Sequence, residues 1–223
     1  ERAIQRVEKL AKLNPKEARI RLDALESLSQ ALNQGLPTRG VDLSPEERVS
    51  VRDLQLITMK PIMYVANIAE GTEEGNPLLE RVRQFAGHEG AALIPLCVAV
   101  EAEIAQLDGD DRKEFLMEMG LAESGLDRVV RTGYQLLSLL TFFTAGKKEV
   151  RAWTVRSGST APQAAGRIHT DFEKGFIRAE VIAFEDFKSL GGEQRAKEAG
   201  KLRLEGKSYI VNEGDVMHFR FNV

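Results

Sequence analysis

Ile62-Met63-Tyr64-Val65-Ala66-Asn67-Ile68-Ala69-Glu70 is the stretch on which the reading of the fold turns. Its first five residues form a short, continuous apolar run. This predicts a strand buried on both faces of a parallel sheet. Asn76-Pro77 then opens a helix with Leu78, Leu79, Val82, Phe85 and Ala86 on one face, and Gly90 ends it. Ala92-Leu93-Ile94-Pro95-Leu96 reads as the second buried strand. Strand, helix and strand within roughly 35 residues make a βαβ unit with parallel pairing. Two strands are too few for a stable sheet, so further strands are expected upstream. The chain opens on Glu1, inside a helical pattern, which agrees with a piece of a longer protein.

Upstream of the decisive stretch the pattern is helical. Ile4, Val7, Leu10 and Leu13 share one face, Asn14-Pro15 interrupts, and Leu22, Leu25, Leu28 and Leu32 form a second stripe. Gly35 and Pro37 close it, which predicts a coiled-coil-like hairpin of two antiparallel helices. Ser44-Pro45-Glu46-Glu47 supplies an N-cap, a proline in the first turn and a capping-box glutamate for a third helix to about Thr58.

Downstream, helices are expected over 100–107, 111–119 and 126–140, followed by a compact α+β domain. Its predicted parts are a strand over 150–155, a short helix from Ala161 to His169, a β-rich run over 176–184 and a charged helix over 193–201. Strand-like runs over 208–211 and 216–221 flank a turn at Asn212-Glu213-Gly214-Asp215. In the last run Met217, Phe219 and Phe221 face one way, His218 and Arg220 the other.

Composition narrows the class. The 223 residues are 43 % hydrophobic and 29 % charged, which excludes a disordered tail protein. No apolar run approaches the ~20 residues of a membrane span, and no export leader opens the chain. A single cysteine, Cys97, cannot close an internal disulfide, and three histidines argue against a structural zinc site. A cytoplasmic protein with no metal of its own is expected. The net charge is −3, but residues 139–223 hold 14 Lys and Arg against 11 Asp and Glu, while residues 1–138 hold 17 against 23. The mildly basic end is a weak indication of a polyanion partner.

Ligands of open α/β sheets bind beyond the carboxyl ends of the strands. Asn67-Ile68-Ala69-Glu70 lies beyond the first predicted strand and Cys97-Val98-Ala99-Val100-Glu101 beyond the second. P-loop GTPases carry Asn-Lys-x-Asp at the first position, where the aspartate grips the guanine edge. Ile68 and Glu70 replace that lysine and aspartate here, whereas an asparagine amide offers the donor and acceptor that match adenine N6 and N7. The plain alternative is a loop capped by an asparagine.

Three short stretches and one long one carry a specific resemblance. They are 64–70, 95–104, Thr141-Phe142-Phe143-Thr144-Ala145-Gly146, and the run from Lys148-Glu149-Val150-Arg151-Ala152-Trp153-Thr154 through Ile168-His169-Thr170-Asp171-Phe172-Glu173-Lys174-Gly175 to Gly214-Asp215-Val216-Met217-His218-Phe219-Arg220-Phe221-Asn222-Val223. Together they resemble the YchF family, the Obg-like ATPases. The resemblance implies α/β plus α+β architecture: a helical coiled-coil domain at 1–57, the last part of a P-loop nucleotide-binding domain at 58–138, and a TGS domain of ubiquitin-like β-grasp fold at 139–223. It implies a protein that binds and hydrolyses ATP with Mg2+, GTP less well, and that associates with ribosomes through ribosomal RNA or protein, with no membrane and no DNA specificity. The base-binding residues it implies are Asn67, Ile68, Cys97, Val98 and Ala99, with Glu70 shaping the loop.

The family's Gly-x-x-x-x-Gly-Lys-Ser/Thr loop occurs nowhere in the 223 residues. Without its amides and lysine nothing cradles phosphate or places magnesium. The chain alone is therefore expected to be inactive and to hold neither ATP nor Mg2+ tightly. The alternative reading is a non-catalytic RNA- or ribosome-binding module. Basic residues expected on an RNA or ribosome contact are Lys147, Lys148, Arg151, Lys174, Arg178, Lys201 and Arg203, unless Glu149, Glu173 and Glu205 pair with them locally.

Other chemistry-bearing residues receive structural roles. His169 reads as a cap or surface contact, His88 and His218 as surface residues, Cys97 as a small buried side chain rather than a nucleophile and Trp153 as core. Asp171 and Glu173, read as neighbours on a strand, point apart and form no acid/base pair.

Overall fold

The computed structural model describes residues 1–10, 14–146 and 149–222. Two compact units make up the chain, Glu1–Glu103 and Ile104–Val223. The first begins with helices α1 (Arg2–Leu10) and α2 (Pro15–Asn33), then α3 (Pro45–Ser50). Val7 of α1, Ala24, Leu25 and Leu28 of α2, and Leu43 and Val51 form one buried cluster. Leu13 lies outside the described residues. The capping box of α3 forms as expected: Glu47 N–H donates to Ser44 Oγ at 3.2 Å, and Ser44 N–H to Glu47 Oε2 at 2.8 Å.

The third helix stops earlier than the sequence pattern suggests. After Ser50 the chain makes two single 3₁₀ turns, Arg52–Leu54 and Ile57–Met59, separated by Gln55 in the left-handed region at φ 46°. Leu54, Leu56 and Met59 all pack on the helical core, which a straight helix would not permit.

The βαβ unit follows as predicted. Strands β1 (Met63–Asn67) and β2 (Ala92–Leu96) pair in parallel, Met63 opposite Ala92 and Asn67 opposite Leu96, with helix α4 (Pro77–His88) between them. Asn76 caps α4, its Oδ1 accepting the N–H groups of Leu78 and Leu79 at 3.0 and 3.1 Å. β1 is not buried on both faces. Among the described residues this sheet has two strands, and Val65 is 47 % exposed. On α4, Leu79 and Ala86 are buried while Leu78 and Phe85 of the same apolar face are 68 % and 56 % exposed. Helix α5 (Val98–Ile104) leaves β2 directly.

The second unit contains α6 (Gly109–Glu118), α7 (Gly125–Leu136) and a five-stranded sheet. Its strands are β3 (Leu139–Ala145), β4 (Val150–Arg156), β5 (Phe176–Ala183), β6 (Arg203–Glu205) and β7 (Asp215–Phe221), in spatial order β4-β3-β7-β5-β6. First and last strands, β3 and β7, are parallel; every other pair is antiparallel. Helices α8 (Ala161–Ile168) and α9 (Thr170–Lys174) join β4 to β5, and α10 (Phe184–Leu190) and α11 (Glu193–Glu198) join β5 to β6. The core lies between the sheet and α8: Phe142, Val181, Met217 and Phe219 meet Ala161, Ala164 and Ala165, all buried. Alanines on α8 let the helix approach the aromatic face closely.

Three sequence expectations fail in this unit. The helix expected over 126–140 ends at Leu136, and Leu139–Ala145 is a central strand. Ser138, at φ 51°, turns the chain out of the helix, and Leu140 and Phe142 are then buried against α8. Asp171 and Glu173 stand on α9, not on a strand, and are still about 200° apart around it. The run over 208–211 forms no strand; it contributes a single bridge, Thr160 to Ile210. The alternation in β7 is as read: Met217 and Phe219 are buried, His218 and Arg220 exposed. No helix among the described residues is long and apolar enough to cross a membrane.

Candidate nucleotide-base site and basic surface

The parallel register sets Asn67, the last residue of β1, opposite Leu96, the last of β2. Both strands therefore release their loops at one end. Ile68 N–H donates to Leu96 O at 3.0 Å, extending the ladder by one residue. Asn67 Oδ1 accepts the backbone N–H of Val98 at 3.2 Å, so one side chain ties the first loop to the second. That partner fixes which way the amide lies: the oxygen faces Val98 N–H, and Nδ2 retains two donors with no protein acceptor among the described residues. Asn67 itself is exposed. An exposed, oriented amide donor at the end of a parallel strand suits an aromatic ring-nitrogen acceptor such as a purine N7.

The other expected base-site residues take distinct places. Ile68 is half-buried beside the ladder. Cys97, expected to be buried, is only half-buried because it lies in the turn between β2 and α5, and Val98 and Ala99 are exposed at the start of α5. Glu70 sits in a turn closed by Thr72 N–H donating to Ala69 O at 3.2 Å, with Thr72 Oγ1 donating to the same oxygen at 2.6 Å. Gly71 occupies its left-handed position at φ 68°, where a side chain is strained. The carboxylate of Glu70 is exposed and makes no hydrogen bond or ion pair among the described residues. The structure brings Asn67, Ile68, Cys97 and Val98 together and leaves Glu70 in the turn beside them. Residue types alone missed the hydrogen bond to Val98, although an asparagine at a strand end is a signal for such a tie. Tyr64 anchors β1 from behind, its Oη donating to Glu89 Oε2 at 2.6 Å just past α4.

The basic residues of the C-terminal sheet are dispersed. Arg151 stacks over Trp153 with its guanidinium 4.2 Å from the ring centroid and lies 3.9 Å from Glu149. Arg203 meets Asp215 at 3.4 Å and Glu205 at 3.6 Å, and Lys201 meets Asp186 at 3.3 Å. Lys174 and Arg178 are exposed with no ion pair among the described residues. Arg178 stands opposite Arg220, which itself forks onto Glu180 at 3.1 and 3.2 Å. Lys147 and Lys148 lie outside the described residues. His169 is a cap: its Nδ1 accepts Asp171 N–H at 3.2 Å at the start of α9. Trp153 packs on the core and donates from Nε1 to Thr144 Oγ1 at 2.9 Å.

Comparison with known proteins places this architecture. Residues 139–222 match the family YchF-GTPase_C, described as "Protein of unknown function (DUF933)". The "Ribosome-binding ATPase YchF" of Escherichia coli O157:H7 is 58 % identical over 224 residues, covering 100 % of this chain and 61 % of the relative. The protein of the same name from Bacillus subtilis (strain 168) is 49 % identical over 226 residues, covering 100 % of this chain and 62 % of the relative. Among solved structures, that of the Schizosaccharomyces pombe YchF GTPase superposes with a TM-score of 0.84 at 32 % identity, covering 99 % of this chain and 61 % of that one. The mixed α/β fold is thus similar to that of a YchF GTPase, and the chain spans about three fifths of the length of the relatives it matches.

Proposed function

The chain belongs to the YchF family, and from that premise we propose that it carries the base-recognition loops and the ribosome-docking parts of a cytoplasmic, ribosome-associated ATPase. The single observation that carries this reading is the tie from Asn67 to Val98, which holds two loops in one arrangement beyond parallel strand ends. In this reading Asn67 Nδ2 donates to adenine N7, Ile68 covers the ring, and the turn from Cys97 to Ala99 closes the pocket. Glu70 shapes the loop and leaves the base without a guanine-gripping aspartate. ATP supplies the phosphoryl group that is hydrolysed. Its phosphates and Mg2+ are assigned to the part of the relatives' length that this chain does not span, because no Gly-x-x-x-x-Gly-Lys-Ser/Thr loop occurs in the 223 residues.

The proposed division is a helical coiled-coil domain at 1–57, the last part of the nucleotide domain at 58–138 and a TGS domain at 139–223. The strand order β4-β3-β7-β5-β6, with first and last strands parallel at its centre, supports a β-grasp fold for the last. The uncovered Val65, Leu78 and Phe85 support an assignment of 58–138 to a larger nucleotide domain. Taken alone, the 223 residues are better described as a binding module, since the phosphate-cradling motif is absent.

The test pairs this chain with a protein spanning the full length of its relatives. The longer protein is expected to hydrolyse ATP and to pellet with ribosomes, and the 223-residue chain to show no turnover above a mock preparation. Turnover by the short chain, or a longer protein that binds neither ATP nor ribosomes, overturns the reading.

A further inference from the structure

Charge is concentrated at the start of the chain in a way the half-chain totals conceal. Residues 1–21 hold seven Lys and Arg against three Glu, while residues 22–138 hold ten against twenty Asp and Glu. Arg2, Arg6 and Lys9 recur at i, i+4 and i+7 on α1, so they form one stripe. At 1.5 Å rise per residue the stripe spans about 10 Å. All three side chains are exposed, while Val7 of the same helix is buried in the core with Ala3 and Ile4 packed beside it. Glu8, the acidic residue within α1, stands at least about 100° away from each of the three.

The first turns of α2 carry further cations, with the acidic Glu17 between them and close to Arg6. Lys16 and Arg19 are exposed; Arg19 lies 3.9 Å from Asp23 with both side chains mostly in solvent, a pairing of little strength. Arg21 differs, turning inward to Asp53 Oδ2 at 2.8 Å and to the carbonyl of Ser50. Arg2, Arg6, Lys9 and Lys16 make no ion pair among the described residues. In the second unit Lys201 meets Asp186 at 3.3 Å and Arg203 meets the buried Asp215 at 3.4 Å, while the exposed Lys174 and Arg178 are separated by sequence and do not form a helical stripe.

We propose that the stripe Arg2, Arg6 and Lys9 is the surface through which the protein docks on the backbone phosphates of a folded RNA. The proposal rests on the ribosome-associated reading above and gives it a location. RNA is favoured over an acidic protein because, among the described residues of α1, no large apolar side chain is exposed beside the cations. A protein interface draws its affinity from buried aromatic and aliphatic anchors, whereas phosphates require only exposed, unpaired positive charge.

The test measures binding of the purified protein to a fluorescein-labelled ribosomal RNA transcript by anisotropy, between about 50 and about 200 mM salt. An Arg2→Gln, Arg6→Gln, Lys9→Gln variant keeps good helix formers at exposed positions. Each cation removed lowers the slope of log affinity against log salt by roughly 0.7–0.9, so a loss of about 2–3 in slope and at least tenfold in affinity at low salt is expected. An Arg2→Lys, Arg6→Lys variant keeps the charge and is expected to bind as the parent does. A triple variant with the parent's slope overturns the proposal. So does a triple variant that stops pelleting with ribosomes yet binds the naked transcript normally, which assigns the stripe to an acidic ribosomal protein. If the parent fails to pellet with ribosomes but its RNA binding loses slope in the triple variant, the stripe stands and the ribosome reading falls.

Discussion

Asn67 Oδ1 accepts the backbone N–H of Val98 at 3.2 Å, so the loop leaving β1 and the loop leaving β2 are held by one side chain 31 positions from its partner. The amide has two halves with separable duties. Its oxygen is used within the protein, and its nitrogen has no protein acceptor among the described residues.

Asn67→Asp keeps an acceptor for Val98 N–H and removes the Nδ2 donor; Asn67→Ala removes both. In a protein of the relatives' full length, ATP binding is expected to weaken in both variants. Thermal stability is expected to fall only in the alanine variant, by the roughly 0.5–1.5 kcal/mol of one hydrogen bond. Equal stability losses in the two, with ATP affinity intact, would show that Asn67 serves the loops alone.

Base choice is expected to follow Ile68 and Glu70. Ile68→Lys with Glu70→Asp recreates the guanine-gripping pair and shifts preference toward GTP by roughly 1–3 kcal/mol, the worth of a bidentate base contact. Titration with fluorescent ATP and GTP analogues reads the shift; dissociation constants unchanged for both would remove these two positions from base recognition.

Gly175 has no room for a side chain. A Cβ there would lie 1.9 Å from the carbonyl oxygen of Asn222, whose own N–H donates to Gly175 O at 2.9 Å. Gly175→Ala must push the end of β7 from α9 and is expected to cost about 1–3 kcal/mol in urea denaturation. Gly206→Ala, with nothing within 4 Å of the added carbon, is the matched control and is expected to be near neutral.

Acid sensitivity is expected from Glu180. The hydrogen bonds from Arg220 hold its carboxyl below the ordinary value of 4.5, opposed by its partial burial and aided by the charge of Arg220 and the nearby Arg178. A depressed carboxylate contributes stability above its unfolded value and loses it as pH falls through its folded one. Glu180→Gln is therefore expected to destabilise at neutral pH and to converge with the parent under acid. Parallel stability curves for the two proteins across that range would exclude the pair as the source.

Much of this fold was legible from local chemistry. Asn76-Pro77 and Ser44-Pro45-Glu46-Glu47 cap their helices because a side-chain acceptor and a proline in the first turn act within four residues of each other. The period-two pattern of β7 predicted its buried and exposed faces, and the apolar runs at 62–66 and 92–96 predicted the parallel pair.

What only the tertiary structure decided is everything that depends on residues distant in sequence. Residues 137–140 continue the apolar pattern of the helix expected over 126–140, yet the chain turns at Ser138 and Leu139–Ala145 becomes a strand, because Phe142 must meet α8 and β3 must sit between β4 and β7. Asp171 and Glu173 pass from an expected strand to a helix because Gly175 needs the turn that brings β5 against the end of β7. For the site, the residue types at 67–70 and 97–99 were readable, but the bond that joins the two loops was not. The same holds for charge: the sequence supplies seven cations in its first 21 residues, and folding decides that Arg21 is spent on Asp53 and Ser50 while Arg2, Arg6 and Lys9 stay exposed in one stripe with no ion pair among the described residues. Propensity and periodicity act over one or two turns, whereas the pairing of a charge or an amide depends on what the whole fold places beside it.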